Sequence, residues 1–330
     1  MRPSRSLVAA MLAVFAASIP ATAARSEGAL FVAAKRGNML SRLDLASGAE
    51  VLRVPSCANP HELATAPDGQ HVALACYGGT SVDIFRTADL AKVASIDLEE
   101  NARPHGIVWH PSGAIYVTAE GRCALFRISA PLSGAPRLEK FATGKLGSHM
   151  IAVAGDESAA WTTDLGSRTV TRVALAPGVA PRSVTVGEEP EGIALSGDGK
   201  TLWVSARGSN QAFALDPEML EVRKTIATGR FPLRIALRPQ GDVAISSNLQ
   251  DASLSVIDTA TARVIRTIAV SPPDEAEARF QVTILWSPDG SRIYVAETGT
   301  STIAEVDYAS GKVLRRLKAG EGGDGLAILP

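Results

Sequence analysis

Five histidines occur in the 330 residues, at positions 61, 71, 105, 110 and 149. Three of them, His61, His105 and His149, recur every 44 residues in similar settings: Pro60-His61, Pro104-His105 and Ser148-His149. Neutral imidazoles are good donors to borderline metal ions, and three that converge suit zinc or copper with one coordination position open. The same rings also suit a polar funnel that holds a small ligand without metal, or structural histidines copied by duplication. His71 and His110 stand beside Pro/Gly turns at 67–69 and 111–113 and read as surface residues.

Other groups share the register of the triad or the loops near it. Glu191 and Asp324 take the histidine position in other repeats. Glu120, Asp164 and Glu297, with Tyr77 and Asn248, fall in loops expected on the same face. Glu120 and Asp164 are candidates to orient an imidazole or to act as general base. Arg207 and Arg234 are candidates to hold an anionic group. The three cysteines are Cys57, Cys76 and Cys123. In an oxidising compartment Cys57–Cys76 is the preferred disulfide, which leaves Cys123 free; thiolate ligation beside the triad is the alternative. No Cys-x-x-Cys, phosphate loop, Gly-x-Ser-x-Gly elbow or EF-hand pattern is present.

The elements that must position these groups are repeats. A frame of the type Pro190-Glu191-Gly192-Ile193-Ala194-Leu195, a Gly/Asp turn, then Leu202-Trp203-Val204-Ser205 starts again at Pro60, Pro104, Ser148, Pro232 and Gln281, and in truncated form at Gly323. The steps of 42–49 residues, each with four short apolar runs, are the signature of a β-propeller blade. Leu30 to Val54 supplies strands two to four of a blade that lacks its first strand, and Asp324–Leu329 matches the missing strand. The expected fold is therefore all-β: a seven-bladed β-propeller of four-stranded blades, closed by the C-terminal strand joining the N-terminal blade. First strands line the central channel, so the triad is expected at one channel mouth.

The runs Tyr116-Val117-Thr118-Ala119 and Tyr294-Val295-Ala296-Glu297 resemble the YVTN repeat, as do Ser255-Val256-Ile257-Asp258-Thr259 through Val270 and the turn Ser287-Pro288-Asp289-Gly290. Over residues 28–330 the chain resembles the YVTN / lactonase-like seven-bladed propellers of exported bacterial type. That resemblance implies the propeller fold but spans binding proteins, lactonases and lyases; the metal-binding acids of the gluconolactonase branch have no match here.

Residues 1–23 carry Arg2 and Arg5, an uncharged run from Leu7 to Ile19, and Ala21-Thr22-Ala23. This is the pattern of a cleavable export signal, and the run is short of the roughly 20 residues a membrane span needs. The expected domains are a signal peptide (1–23) and one propeller (24–330), with a periplasmic or secreted location and no later membrane span. The formal net charge is -1, which argues against nucleic acid as a partner. Three functions fit: a binding or accessory protein holding a metal ion or small polar molecule at the triad; a metal-dependent enzyme of lactonase, lyase or oxidoreductase type; and a scaffold for a periplasmic partner protein.

Overall fold

The computed structural model describes residues 28–330. The expected export signal lies outside the described residues. Seven four-stranded antiparallel sheets form a closed ring. Blade one combines Gly323–Leu329 with Ala29–Ala34, Met39–Asp44 and Glu50–Pro55. Blades two to seven begin at Pro60, Pro104, Ser148, Pro190, Pro232 and Gln281. Closure is an antiparallel register of Ala29↔Leu329, Leu30↔Ile328, Phe31↔Ala327 and Val32↔Leu326. It removes the edge that Ala29–Ala34 would otherwise expose.

Within each blade the strands differ in how they meet water. Second strands such as Ala159–Asp164 and Arg292–Glu297 are buried on both faces, because each is covered by a neighbouring blade on either side. Fourth strands alternate or are mostly exposed, as in Glu50–Pro55 and Arg137–Ala142. The core consequently lies between blades. Ile84 and Val82 of blade two pack with Trp109, Ile115 and Phe126 of blade three, and the same interdigitation repeats around the ring.

Two local features shape the channel mouth. The residue just before each first strand has positive φ: Asn59, Arg103, Gly147, Glu189, Phe231, Phe280 and Gly322. Each first strand then carries a register shift near its start, for example between Pro60 and Leu63 and between Ser148 and Ile151. Such bulges re-aim side chains and free backbone N–H groups. Second-strand hydroxyls use that freedom. Thr118 Oγ1 accepts from Gly106 N and donates to His149 O of the next blade; Thr163, Ser205 and Ser247 repeat the clamp onto Glu191, Leu233 and Val282.

Candidate functional site at the channel mouth

The second residue of each first strand gives a ring of seven: His61, His105, His149, Glu191, Leu233, Val282 and Asp324. Neighbouring first strands approach closely because glycine follows at several of these sites. A Cβ on Gly106 would lie 2.7 Å from His149 O, and one on Gly325 only 1.8 Å from His61 O. The residue just after each second strand's last ladder pair adds a second ring, which includes Lys35, Tyr77, Glu120, Arg207, Leu249 and Thr298. A cavity of about 390 Å³ opens here, lined by the three histidines, Lys35, Glu191, Arg207, Arg234 and Asp324, and by Phe231, Leu233, Leu249, Phe280 and Val282.

The histidines stand side by side. Ring centroids are 4.9 Å apart for His61–His105 and 3.7 Å for His105–His149. His61 Nδ1 faces Asn59 O at 3.0 Å. A carbonyl only accepts, so Nδ1 carries the proton and Nε2 keeps its lone pair. His149 Nδ1 donates to Glu120 Oε1, while its Nε2 is buried without a hydrogen bond, 3.5 Å from Glu191 Oε1. His105 Nδ1 is buried with no partner. Among the described residues, the one set of three ligating atoms within 4.8 Å of one another is Cys57, Cys76 and Asp83. Both of its sulfurs are taken by the Cys57–Cys76 disulfide, whose Cα atoms are 5.7 Å apart. The triad thus forms a row, and would have to draw together to share one ion at the 2.0–2.1 Å bonds zinc requires.

Electrostatics divide the row. Burial, with repulsion from His149 and His61, holds His105 well below the ordinary histidine value; burial also lowers His61. Burial opposes a charge on His149 as well, but Glu120 and Glu191 outweigh it and raise its pKa. Glu191 is held down to about 2: burial works against its charge, and His149 and Arg234 prevail. Tyr77 is pushed up to about 12 by burial and by its 2.7 Å bond to Glu120. Arg103 stacks over the Tyr77 ring at 4.5 Å, and that ring packs 4.5 Å from His61.

One residue deeper, a buried ion pair crosses the channel. Arg234 Nη2 donates to Glu62 Oε1 at 2.7 Å and Nη1 to Glu191 Oε1 at 2.6 Å; Arg207 Nη1 binds the other Glu191 oxygen at 2.6 Å. Lys35 Nζ meets Asp324 at 3.0 Å. Arg234 is thereby a strut between blades six, two and five as well as part of the cavity lining.

Of the sequence candidates, His61, His105, His149, Glu191, Arg207, Arg234 and Asp324 line the cavity, and Glu120 stands behind His149. Asp164 and Glu297 do not reach it. Asp164 is buried inside blade four, accepting from Ser148, Thr162, Thr169 and Thr171; burial raises its pKa. Glu297 sits inside blade seven with Thr302, Arg316 and Arg279. Both end a second strand, one position earlier than Glu120 and Arg207, and a one-residue step in a strand turns the side chain to the other face. Asn248 ends its strand at the same inward position, bonded to Ser253 and Ser255. Sequence reading missed Glu62, Lys35, Leu249, Phe231 and Phe280. Glu62 had a signal: the matching position is glycine in three other repeats (Gly106, Gly192, Gly325), so a charged side chain there is out of pattern.

A sequence profile describing YNCE-like beta-propellers matches residues 4–330. No curated protein matches the chain in sequence. Among solved structures, the ring is similar to a functionally unknown protein from Desulfotomaculum acetoxidans, with a TM-score of 0.71 and 12% identity, covering 92% of this chain and 99% of that one. A candidate 6-phosphogluconolactonase from Bacteroides fragilis gives a TM-score of 0.71 and 16% identity over 94% and 100% of the two chains. The dihydro-heme d1 dehydrogenase NirN gives 0.63 and 15% over 94% and 77%. At these identities the likeness is one of fold.

Proposed function

The chain belongs to the YNCE-like β-propeller family, and from that premise we propose that it is an exported binding protein that holds a transition-metal ion, zinc or copper, at the three-histidine mouth, with a small polar ligand beside it. The observation that carries this reading is the way two imidazoles are anchored. Asn59 O and Glu120 each take up an Nδ1, which leaves the Nε2 of His61 as a ligand atom and that of His149 as one once a metal displaces the proton its carboxylate neighbours favour; carboxylate or carbonyl support of that kind is what fixes metal-binding histidines. His105, neutral and with a partnerless buried Nδ1, stands between them. Export is supported by the pattern of residues 1–23.

Protein purified without an affinity tag, stripped with chelator and dialysed against zinc or copper, should retain about one ion per chain, by analogy with three-histidine sites. His105→Ala should abolish retention, because it borders both other rings. Retention unchanged in that variant, or no retention by the parent protein, overturns the reading.

A second reading, an enzyme of lactonase, lyase or oxidoreductase type, is favoured by one contrast. His149 is pushed toward the protonated form and His105, 3.7 Å away, toward the neutral form. Neighbours whose environments drive their pKa values apart make an acid and a base. Hydrolysis of simple lactones by the parent protein, lost in His149→Gln, would put this reading first.

A further inference from the structure

The cavity holds far more than an ion requires, and five of its fourteen lining residues are apolar, the wrong chemistry for one. Around the first ring, His61, His105, His149, Glu191 and Asp324 are contiguous, and Leu233 and Val282 fill the remaining arc. Leu249 from the second ring and Phe231 join them, forming an apolar cluster separate from the cores between blades. Phe280, 43% exposed, completes the cavity lining on that side. A volume of about 390 Å³ is within the range of small-molecule sites and would take on the order of ten water molecules at roughly 30 Å³ each.

The backbone gives an independent observation. Phe231 and Phe280 hold φ of 59° and 49° in the position that blades four and one fill with Gly147 and Gly322, and blades two, three and five with the polar Asn59, Arg103 and Glu189. The left-handed region is costly for a bulky side chain and nearly free for glycine. No first strand needs a phenylalanine there to start, so the two rings are kept at a cost to the fold. Arg207 stacks over Phe231 at 5.3 Å, which orients one ring and sets a cation beside the apolar wall.

We propose that the occupant of the mouth is a small organic molecule with a flat apolar face and an anionic group. Its face packs on Phe231, Phe280, Leu233, Leu249 and Val282, and its anionic group meets the side of the cavity that carries the histidines with Lys35 and Arg207, where it shares those two cations with Asp324 and Glu191. This rests on the reading of the mouth as a ligand site, but not on the metal.

The probe is 8-anilinonaphthalene-1-sulfonate, an aromatic sulfonate, titrated by fluorescence into folded, metal-free protein. A single saturable site is expected. Phe231→Gly and Phe280→Gly should each weaken it about tenfold, the scale of removing one buried aromatic face, while the thermal midpoint stays level or rises. Phe280→Ala keeps the Cβ and the backbone strain and loses the ring; it should weaken binding as much without the rise. Ile265→Ser, at an exposed site on the outer strand of blade six, should change nothing. Probe affinity indifferent to both phenylalanines, or absent, overturns the proposal, as does a drop in midpoint in the glycine variants, which would make the rings structural. Repeating the titration with zinc and copper separates the two readings. Probe binding without metal uptake sinks the metal and leaves this proposal standing; metal uptake without probe binding does the reverse.

Discussion

His149 and His105 are adjacent rings with opposite stability signatures. His149 is raised above the ordinary value of 6.5 in the folded chain. Its contribution is therefore complete below pH 6.5 and is lost as pH rises through the folded pKa. His105 and His61 are lowered. Their neutral forms are favoured by folding, so their contribution is complete above pH 6.5 and is lost as pH falls toward the folded values. Metal-free protein should show a thermal midpoint that declines on both sides of about pH 6.5. Relative to the parent curve, His149→Gln should flatten the alkaline limb and His105→Gln the acid limb. Denaturation followed in chelator from pH 5 to 9 measures this; identical curve shapes for all three proteins would contradict the assignment of charge along the row.

At the scale of the element, the first strand does the positioning. A left-handed residue turns the chain into the channel, a bulge aims the next side chain at the mouth, and a hydroxyl from the preceding blade clamps its carbonyl in four of the seven blades. Glycine after the site residue lets adjacent first strands touch. Gly325→Ala would drive a Cβ against His61 O, a backbone contact that cannot swing aside. We expect a loss of about 1–3 kcal/mol, the usual cost of overpacking, together with weaker retention of metal or ligand through displaced His61. Urea unfolding and the metal titration read the two effects separately. Gly113→Ala, where a Cβ meets nothing but φ is 91°, controls for conformational strain alone. The disulfide works on the same element: Cys57 precedes the Asn59 turn that holds His61, and Cys76 ends the strand that leads to Tyr77.

For the whole molecule, closure makes the site possible. The ring sets His61 of blade two beside Asp324 from the last strand, and Arg234 of blade six across the channel from Glu62 of blade two. These groups are up to 263 residues apart in the chain and meet only when the last strand docks on the first. Among the described residues no helix is long and apolar enough to cross a membrane. If residues 1–23 are an export signal as their pattern implies, protein recovered from the periplasm should begin at Ala24, read by intact mass and N-terminal sequencing. A mature chain that retains Met1 would contradict export by cleavage.

Blade number, strand order and the split blade were legible in the sequence because they rest on local periodicity: the 42–49-residue frame and its turn residues state which segments pair. The ring of His61, His105, His149, Glu191, Leu233, Val282 and Asp324 was legible for the same reason, since identical register in identical blades must place residues on one circle. What periodicity could not carry was side-chain facing at the ends of second strands, where one residue separates Asp164, bonded inside its blade, from Glu120, against His149. Nor could it carry contacts across the channel. Glu62 and Arg234 are 172 residues apart, and their pairing depends on ring diameter and side-chain reach. Sequence determined which first-strand residues stand on the mouth; tertiary structure decided which other side chains join them, and that together they form a row of imidazoles, a buried ionic strut and an apolar arc, because neighbours around a closed ring are set by geometry and not by order along the chain.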